Sequence, residues 1–173
     1  MGASADALRA RRLSRGWARE SPARRSGTLP RMVSQAVAGA CRCGAVRLEI
    51  ELPTLFCAHC HCTICRRQHG AAFVTWVGVA TERFRLRAGQ ECIVWHASSE
   101  HGRRSFCGRC GTALLFETSR HPGRVDVPLA LLEGPIDRPP QLHVFFDNRA
   151  PWVRVDDELP KLGGVSGVEP LEG

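Results

Sequence analysis

The sequence predicts a mainly β domain with little helix, stapled by bound metal. Three observations carry this. Short apolar blocks recur about every ten residues between turn-forming segments. No stretch sustains the 3.6-residue period of a long helix, and cysteines cluster at the close spacings that metal ligands need. With 173 residues and 43% hydrophobic content, the chain has the size of one domain with tails and enough apolar mass for a core.

Residues 1–32 read as a basic tail. The first 31 hold eight arginines against only Asp6 and Glu20, and Pro22 and Pro30 break any helix, so burial cannot offset the cost of ordering them. Their Arg-rich, acid-poor composition also fits a mitochondrial transit segment; the plainer reading is that Met32 marks the start of organised sequence. Residues 33–162 read as the domain, and 163–173, rich in glycine, as a flexible tail.

Within the domain, residues 46–52 alternate apolar and charged side chains, as a strand with one buried face does, and Pro53 ends the run. Further strands are expected at 72–79, 83–87, 92–97, 103–106, 113–117, 125–132 and 142–146, a spacing that suits a sandwich or barrel. Residues 63–69 suit one short helical turn, with Thr63 as its cap and Gly70 left-handed after it. Phe73, Trp76, Trp95 and Trp152 are expected in the core.

Charge narrows the function classes. The net charge is +7, but the first 31 residues carry +6 and the remainder only +1. A near-neutral domain lacks the electrostatic footprint of a phosphate-backbone binder, so nucleic acid is expected to engage only the tail. No run approaches the roughly 20 apolar residues of a membrane span, and a soluble protein is expected.

Nine cysteines are an odd number, and no continuous apolar signal segment precedes them; both facts favour metal over a disulfide framework. Thiols kept available as ligands imply a reducing compartment, expected to be the cytoplasm, or the mitochondrion if residues 1–31 direct transit. Cys107-Gly108-Arg109-Cys110-Gly111 has the form of a zinc knuckle, and Cys41-Arg42-Cys43-Gly44 supplies a matching half-site. Joining them would close a four-cysteine structural centre.

Cys60, Cys62 and Cys65 offer three thiols within six residues. Three protein ligands leave a fourth position open for substrate, the arrangement of a catalytic zinc. The rival is a closed structural centre completed by Cys57, His59, His61 or His69. Cys92 sits in an apolar strand pattern and reads as a buried small side chain. Arg66 and Arg67, just after the last thiol, are candidates for a substrate carboxylate, against the plainer role of solvated cations. His61 and His69 are candidate proton carriers, against the plainer role of hydrogen-bonded turn residues.

Several motifs in order match a known family: Gly39-Ala40-Cys41-Arg42-Cys43-Gly44-Ala45-Val46, Cys60-His61-Cys62-Thr63-Ile64-Cys65-Arg66, Gly70-Ala71-Ala72-Phe73, Trp76 and Phe106-Cys107-Gly108-Arg109-Cys110-Gly111-Thr112. His143, Arg149-Ala150-Pro151-Trp152 and Leu159-Pro160 follow. From about residue 39 to 162 the sequence resembles the glutathione-dependent formaldehyde-activating enzyme family, whose domain is shared with centromere protein V. The resemblance implies an Mss4-like β fold of twisted antiparallel sheets with two zinc ions. By that likeness Cys41, Cys43, Cys107 and Cys110 hold the structural ion, and Cys60, Cys62 and Cys65 the catalytic one. It further implies carbon–sulfur lyase chemistry, with glutathione or another thiol adduct as substrate. Cys57 and His59 have no counterpart in the family pattern. A non-catalytic zinc module for protein or nucleic-acid binding is the competing function.

Overall fold

The structure is a computed structural model, and it describes residues 35–171. The expectations for residues 1–32 lie outside the described residues. Two antiparallel sheets share one core. The smaller is formed by β1 (Ala36–Ala40), β2 (Arg47–Glu51) and β5 (Phe84–Ala88), in the order β1-β2-β5. The larger has seven strands: β3 (Phe56–Cys60), β4 (Val74–Ala80), β6 (Ile93–Ala97), β7 (Gly102–Cys107), β8 (Ala113–Thr118), β9 (Arg124–Pro128) and β10 (His143–Val144). Their order is β10-β3-β4-β9-β8-β7-β6, and β10 alone pairs in parallel, with β3. The fold is the mainly β arrangement that the sequence predicts, in the Mss4-like form that the family resemblance implies.

Alternation explains how the sheets meet. Leu48 and Ile50 of β2 turn inward with Val37 of β1, and join Cys57, Val77, Val79, Leu114, Val125 and Val127 of the larger sheet in one buried cluster. The intervening residues of the larger sheet face the other way. Register places Arg104 of β7 opposite Phe116 of β8, Phe116 opposite Asp126 of β9, Asp126 opposite Gly78 of β4, and Gly78 opposite Phe56 of β3. This cross-strand row lies on the face away from the core. Gly78 is required there, because a Cβ would collide with the Phe56 ring.

The helix α1 (Thr63–His69) follows β3 and ends on Gly70 in the left-handed region, φ 57°. Its cap is Cys62 and not Thr63: the Cys62 Sγ accepts the Cys65 N–H at 3.3 Å, leaving Thr63 inside the first turn. The strand expected over 125–132 stops at Pro128, where a 3-10 turn, Leu129–Leu131, begins. That expected at 142–146 shortens to β10, because Phe145 turns left-handed at φ 53°. The expected tail from 163 instead contributes to a small ribbon, β11 (Leu162–Gly163) with β12 (Glu169–Pro170). It is tied down by the Phe145 N–H, which donates to Gly167 O at 2.9 Å. Trp76 is buried, whereas Trp152 is 73% exposed and therefore not a core residue. No helix among the described residues is long and apolar enough to cross a membrane.

Candidate metal centres

The first centre is assembled from two turns. Cys41 and Cys43 lie between β1 and β2; Cys107 ends β7 and Cys110 lies in the turn that leads to β8, and the four sulfurs fall within 4.8 Å of one another. Cys41 Sγ to Cys43 Sγ is 3.5 Å, and Cys43 Sγ to Cys107 Sγ is 3.9 Å. Four sulfurs about 2.3 Å from a tetrahedral ion stand about 3.8 Å apart, so the donors fit a zinc-sized cation and are too far apart for disulfides. Local backbone supports the set: the Val46 N–H donates to Cys41 Sγ at 3.3 Å, and the Arg42 N–H reaches across to Thr112 Oγ1 at 3.2 Å. The hydrogen bond with Thr112 holds the Cys110 thiol down at about 5. Because the two turns belong to different sheets, an ion here joins those sheets.

The second centre forms where β3 runs into α1. Cys60 ends the strand, Cys62 caps the helix and Cys65 occupies its first turn, with the three sulfurs mutually within 4.8 Å. Among the described residues no fourth His, Cys, Asp or Glu donor joins them. Strand alternation explains why the rivals are elsewhere. Cys57 and His59 share the opposite face of β3 from Cys60: Cys57 is fully buried in the core, and His59 Nδ1 lies 2.9 Å from Thr75 Oγ1. His61 Nε2 lies 2.8 Å from His143 Nδ1, and His143 Nε2 lies 2.9 Å from Asp157 Oδ2. His69 stands edge-on to Trp76, with ring centroids 5.4 Å apart. Contacts with Cys60 and Cys65 hold the Cys62 thiol far below its ordinary range, while the same crowding pushes Cys60 up.

Beside the three sulfurs opens a cavity of about 840 Å³. Its apolar lining includes Phe56, Trp76 and Phe116; its polar lining includes Arg104, Arg124 and Asp126. Arg104 is 5% exposed and donates from Nη2 to Cys65 Sγ at 3.4 Å. Asp126 is equally buried, and burial raises its carboxyl to about 6 despite the Arg124 guanidinium 2.9 Å away. Burial likewise lowers His59, and lowers His61 to about 4. Burial lowers His69 as well, so in both candidate proton carriers, His61 and His69, the charged imidazolium is disfavoured.

Arg66 and Arg67, the candidates for a substrate carboxylate, line a separate hollow with Trp152. Arg66 is committed there, donating from Nη1 to Asn148 O at 2.7 Å and lying over the Trp152 ring. The arginines that do face the large cavity, Arg104, Arg120 and Arg124, escaped the sequence reading. The only signal for Arg104 and Arg124 is strand alternation: Arg124 and Asp126 interleave with the buried Val125 and Val127. Cys92 is buried, as its apolar setting suggests, with its thiol donating to Glu91 Oε1 at 3.3 Å.

Comparison with known proteins agrees with this architecture. The profile of the family described as glutathione-dependent formaldehyde-activating enzyme matches residues 36–148. A protein of Halomonas elongata named "Putative glutathione-dependent formaldehyde-activating enzyme" is 26% identical over 125 residues, which span 68% of this chain and 80% of that protein. A solved structure of a Rhodobacter sphaeroides protein superposes with a TM-score of 0.50 at 28% identity, covering 58% of this chain and 92% of that one. With a matching profile that spans both candidate centres as far as Cys110 and runs on through His143, the chain belongs to the glutathione-dependent formaldehyde-activating enzyme family.

Proposed function

We propose that this protein is a zinc-dependent enzyme of the carbon–sulfur lyase type, acting on glutathione or a related thiol and its adducts with small aldehydes. The observation that carries the reading is a set of three converging sulfurs, with no fourth protein donor, beside a cavity of about 840 Å³. That volume far exceeds a small aldehyde and lies in the range of pockets that take drug-sized ligands. Cys41, Cys43, Cys107 and Cys110 would hold the structural ion, and Cys60, Cys62 and Cys65 the second. When bound in the three-sulfur set, zinc supplies Lewis acidity that keeps a thiol ionised at neutral pH.

The chain's own residues do the rest. Phe56, Trp76 and Phe116 give the cavity an apolar floor that limits water around the reacting sulfur, and Arg120 and Arg124 supply cations for an anionic substrate. In the adduct-forming direction the thiol sulfur bonds to the carbonyl carbon, the C=O π pair moves to oxygen, and the thiol proton ends on that oxygen. The reverse cleaves the carbon–sulfur bond and returns thiol and aldehyde.

The test is to mix zinc-loaded protein with glutathione and formaldehyde and follow the S-hydroxymethyl adduct by NMR. Exchange faster than the uncatalysed rate, lost in Cys65→Ser, is the expected result. An uncatalysed rate in protein that holds two zinc ions would leave the non-catalytic zinc module as the better reading.

A further inference from the structure

Arg104 occupies an unusual electrostatic position. It is 5% exposed, yet among the described residues no carboxylate forms a hydrogen bond or ion pair with it. Nη1 donates to Ser98 Oγ, Nη2 donates to Cys65 Sγ at 3.4 Å, and the guanidinium lies 4.1 Å from the Phe116 ring centroid. Its Nε is buried without a partner. Asp126, two strands across in the same row, is paired with Arg124. A guanidinium withdrawn from water needs a counter-charge; the Asp126 carboxylate lies within electrostatic range but is paired with Arg124, and the group Arg104 bonds to directly is Cys65 of the three-cysteine cluster.

We propose that Arg104 is the counter-charge of the three-cysteine centre, and that it makes the open position prefer an anionic thiolate to a neutral ligand. This rests on the reading of that centre as an open metal site. A divalent ion with three thiolates carries one net negative charge, and a fourth thiolate raises it to two. In a partly buried site that repulsion is weakly screened. Arg104 offsets one of those charges and draws electron density from Cys65 through its N–H···S bond. The first centre differs: no guanidinium bonds to its sulfurs among the described residues, and Cys43 is exposed, so water can solvate a four-thiolate ion there. Arg104 is thus a positioning residue that acts through Cys65.

The test uses the full chain loaded with cobalt, titrated separately with 2-mercaptoethanol and with imidazole while the visible cobalt bands are followed. R104Q is expected to weaken thiol binding by about tenfold or more and to leave imidazole binding within about twofold, the scale of a charge pair in a partly buried site. R104K, which keeps the charge, is expected to restore most of the thiol affinity. Unchanged thiol affinity in R104Q, equal loss of both ligands, or R104K as weak as R104Q would overturn the proposal. Wild-type bands that ignore the thiol would instead remove the open-centre reading, and this inference with it. If R104Q does not fold, R104K decides alone: a change of about tenfold or more in its thiol-to-imidazole ratio overturns the role.

Discussion

His61 Nε2 and His143 Nδ1 stand 2.8 Å apart, and both side chains are 1% exposed. His61 sits between two of the candidate ligands, and His143 is fixed on its other side by Asp157. The pair therefore pins the loop that carries Cys60 and Cys62 to the C-terminal part of the chain. His143→Ala leaves His61 buried without its partner and opens a void, and is expected to destabilise the fold by about 2–4 kcal/mol. Asp157→Asn should cost less than about 1 kcal/mol, because that side chain is 42% exposed and amide oxygen still accepts. Urea denaturation of both variants checks the ordering; an equal loss would place the stabilising contact elsewhere.

Replacing one ligand in each centre should separate their roles. Cys107→Ser is expected to release the ion joining the two sheets and to unfold the domain, since structural zinc supplies on the order of 10 kcal/mol. Cys65→Ser should lose one metal per chain and all turnover while keeping the far-ultraviolet circular dichroism spectrum. Metal analysis and spectra on the same preparations check this, and unfolding in both variants would count against an open second centre.

Gly78→Ala puts a methyl group where the Phe56 ring lies. Phe56 in turn lies under the Arg124 guanidinium, 5.0 Å from its ring centroid, so the displaced ring moves the cavity floor. The variant is expected to lose about 1–3 kcal/mol by overpacking and to raise KM for the thiol substrate more than it lowers kcat. Thermal melts and steady-state kinetics read both effects. Adding Phe56→Leu should recover part of the stability.

Asp126 predicts the pH dependence. Burial raises its carboxyl to about 6 in the folded protein, above the roughly 3.9 of an unfolded chain. The native state therefore holds this proton more tightly. The group's influence is most favourable below the unfolded value, and stability is lost as pH rises through about 6. Over the full window the loss is at most about 3 kcal/mol, of which about 1 kcal/mol falls between about pH 5.5 and 7.5. Asp126→Asn should abolish that slope, measured by denaturant titration against the wild type; an unchanged slope would assign it to other groups.

Much of this was legible in the residues because the controlling physics is local. Paired cysteines beside glycines declare turns that can grip an ion, and alternation in residues 46–52 declares a half-buried strand. Within the two main sheets, two strands escape such reading for equally local reasons. β1 reads Ala-Val-Ala-Gly-Ala, too small and glycine-bearing to stand out, and β3 contains two of the cysteines, which masked its strand character. Arg103 and Arg104 show where such reading stops. They are neighbours of identical chemistry, yet Arg103 pairs with Glu117 at the surface and lies over Trp95, while Arg104 is buried against Cys65. Which of the two turns inward depends on the register of β7 against β8 and on a helix nearly forty residues away.

The alternation along β9 carries a wider consequence. Val125 and Val127 enter the core while Arg124 and Asp126 face the cavity, so adjacent residues build a scaffold on one side and a cavity wall on the other. The polar row can be rewritten with little disturbance to the hydrocarbon packing behind it. One set of sheets and cysteine clusters can thereby carry different cavity walls, with the cysteines held constant and the polar row allowed to vary.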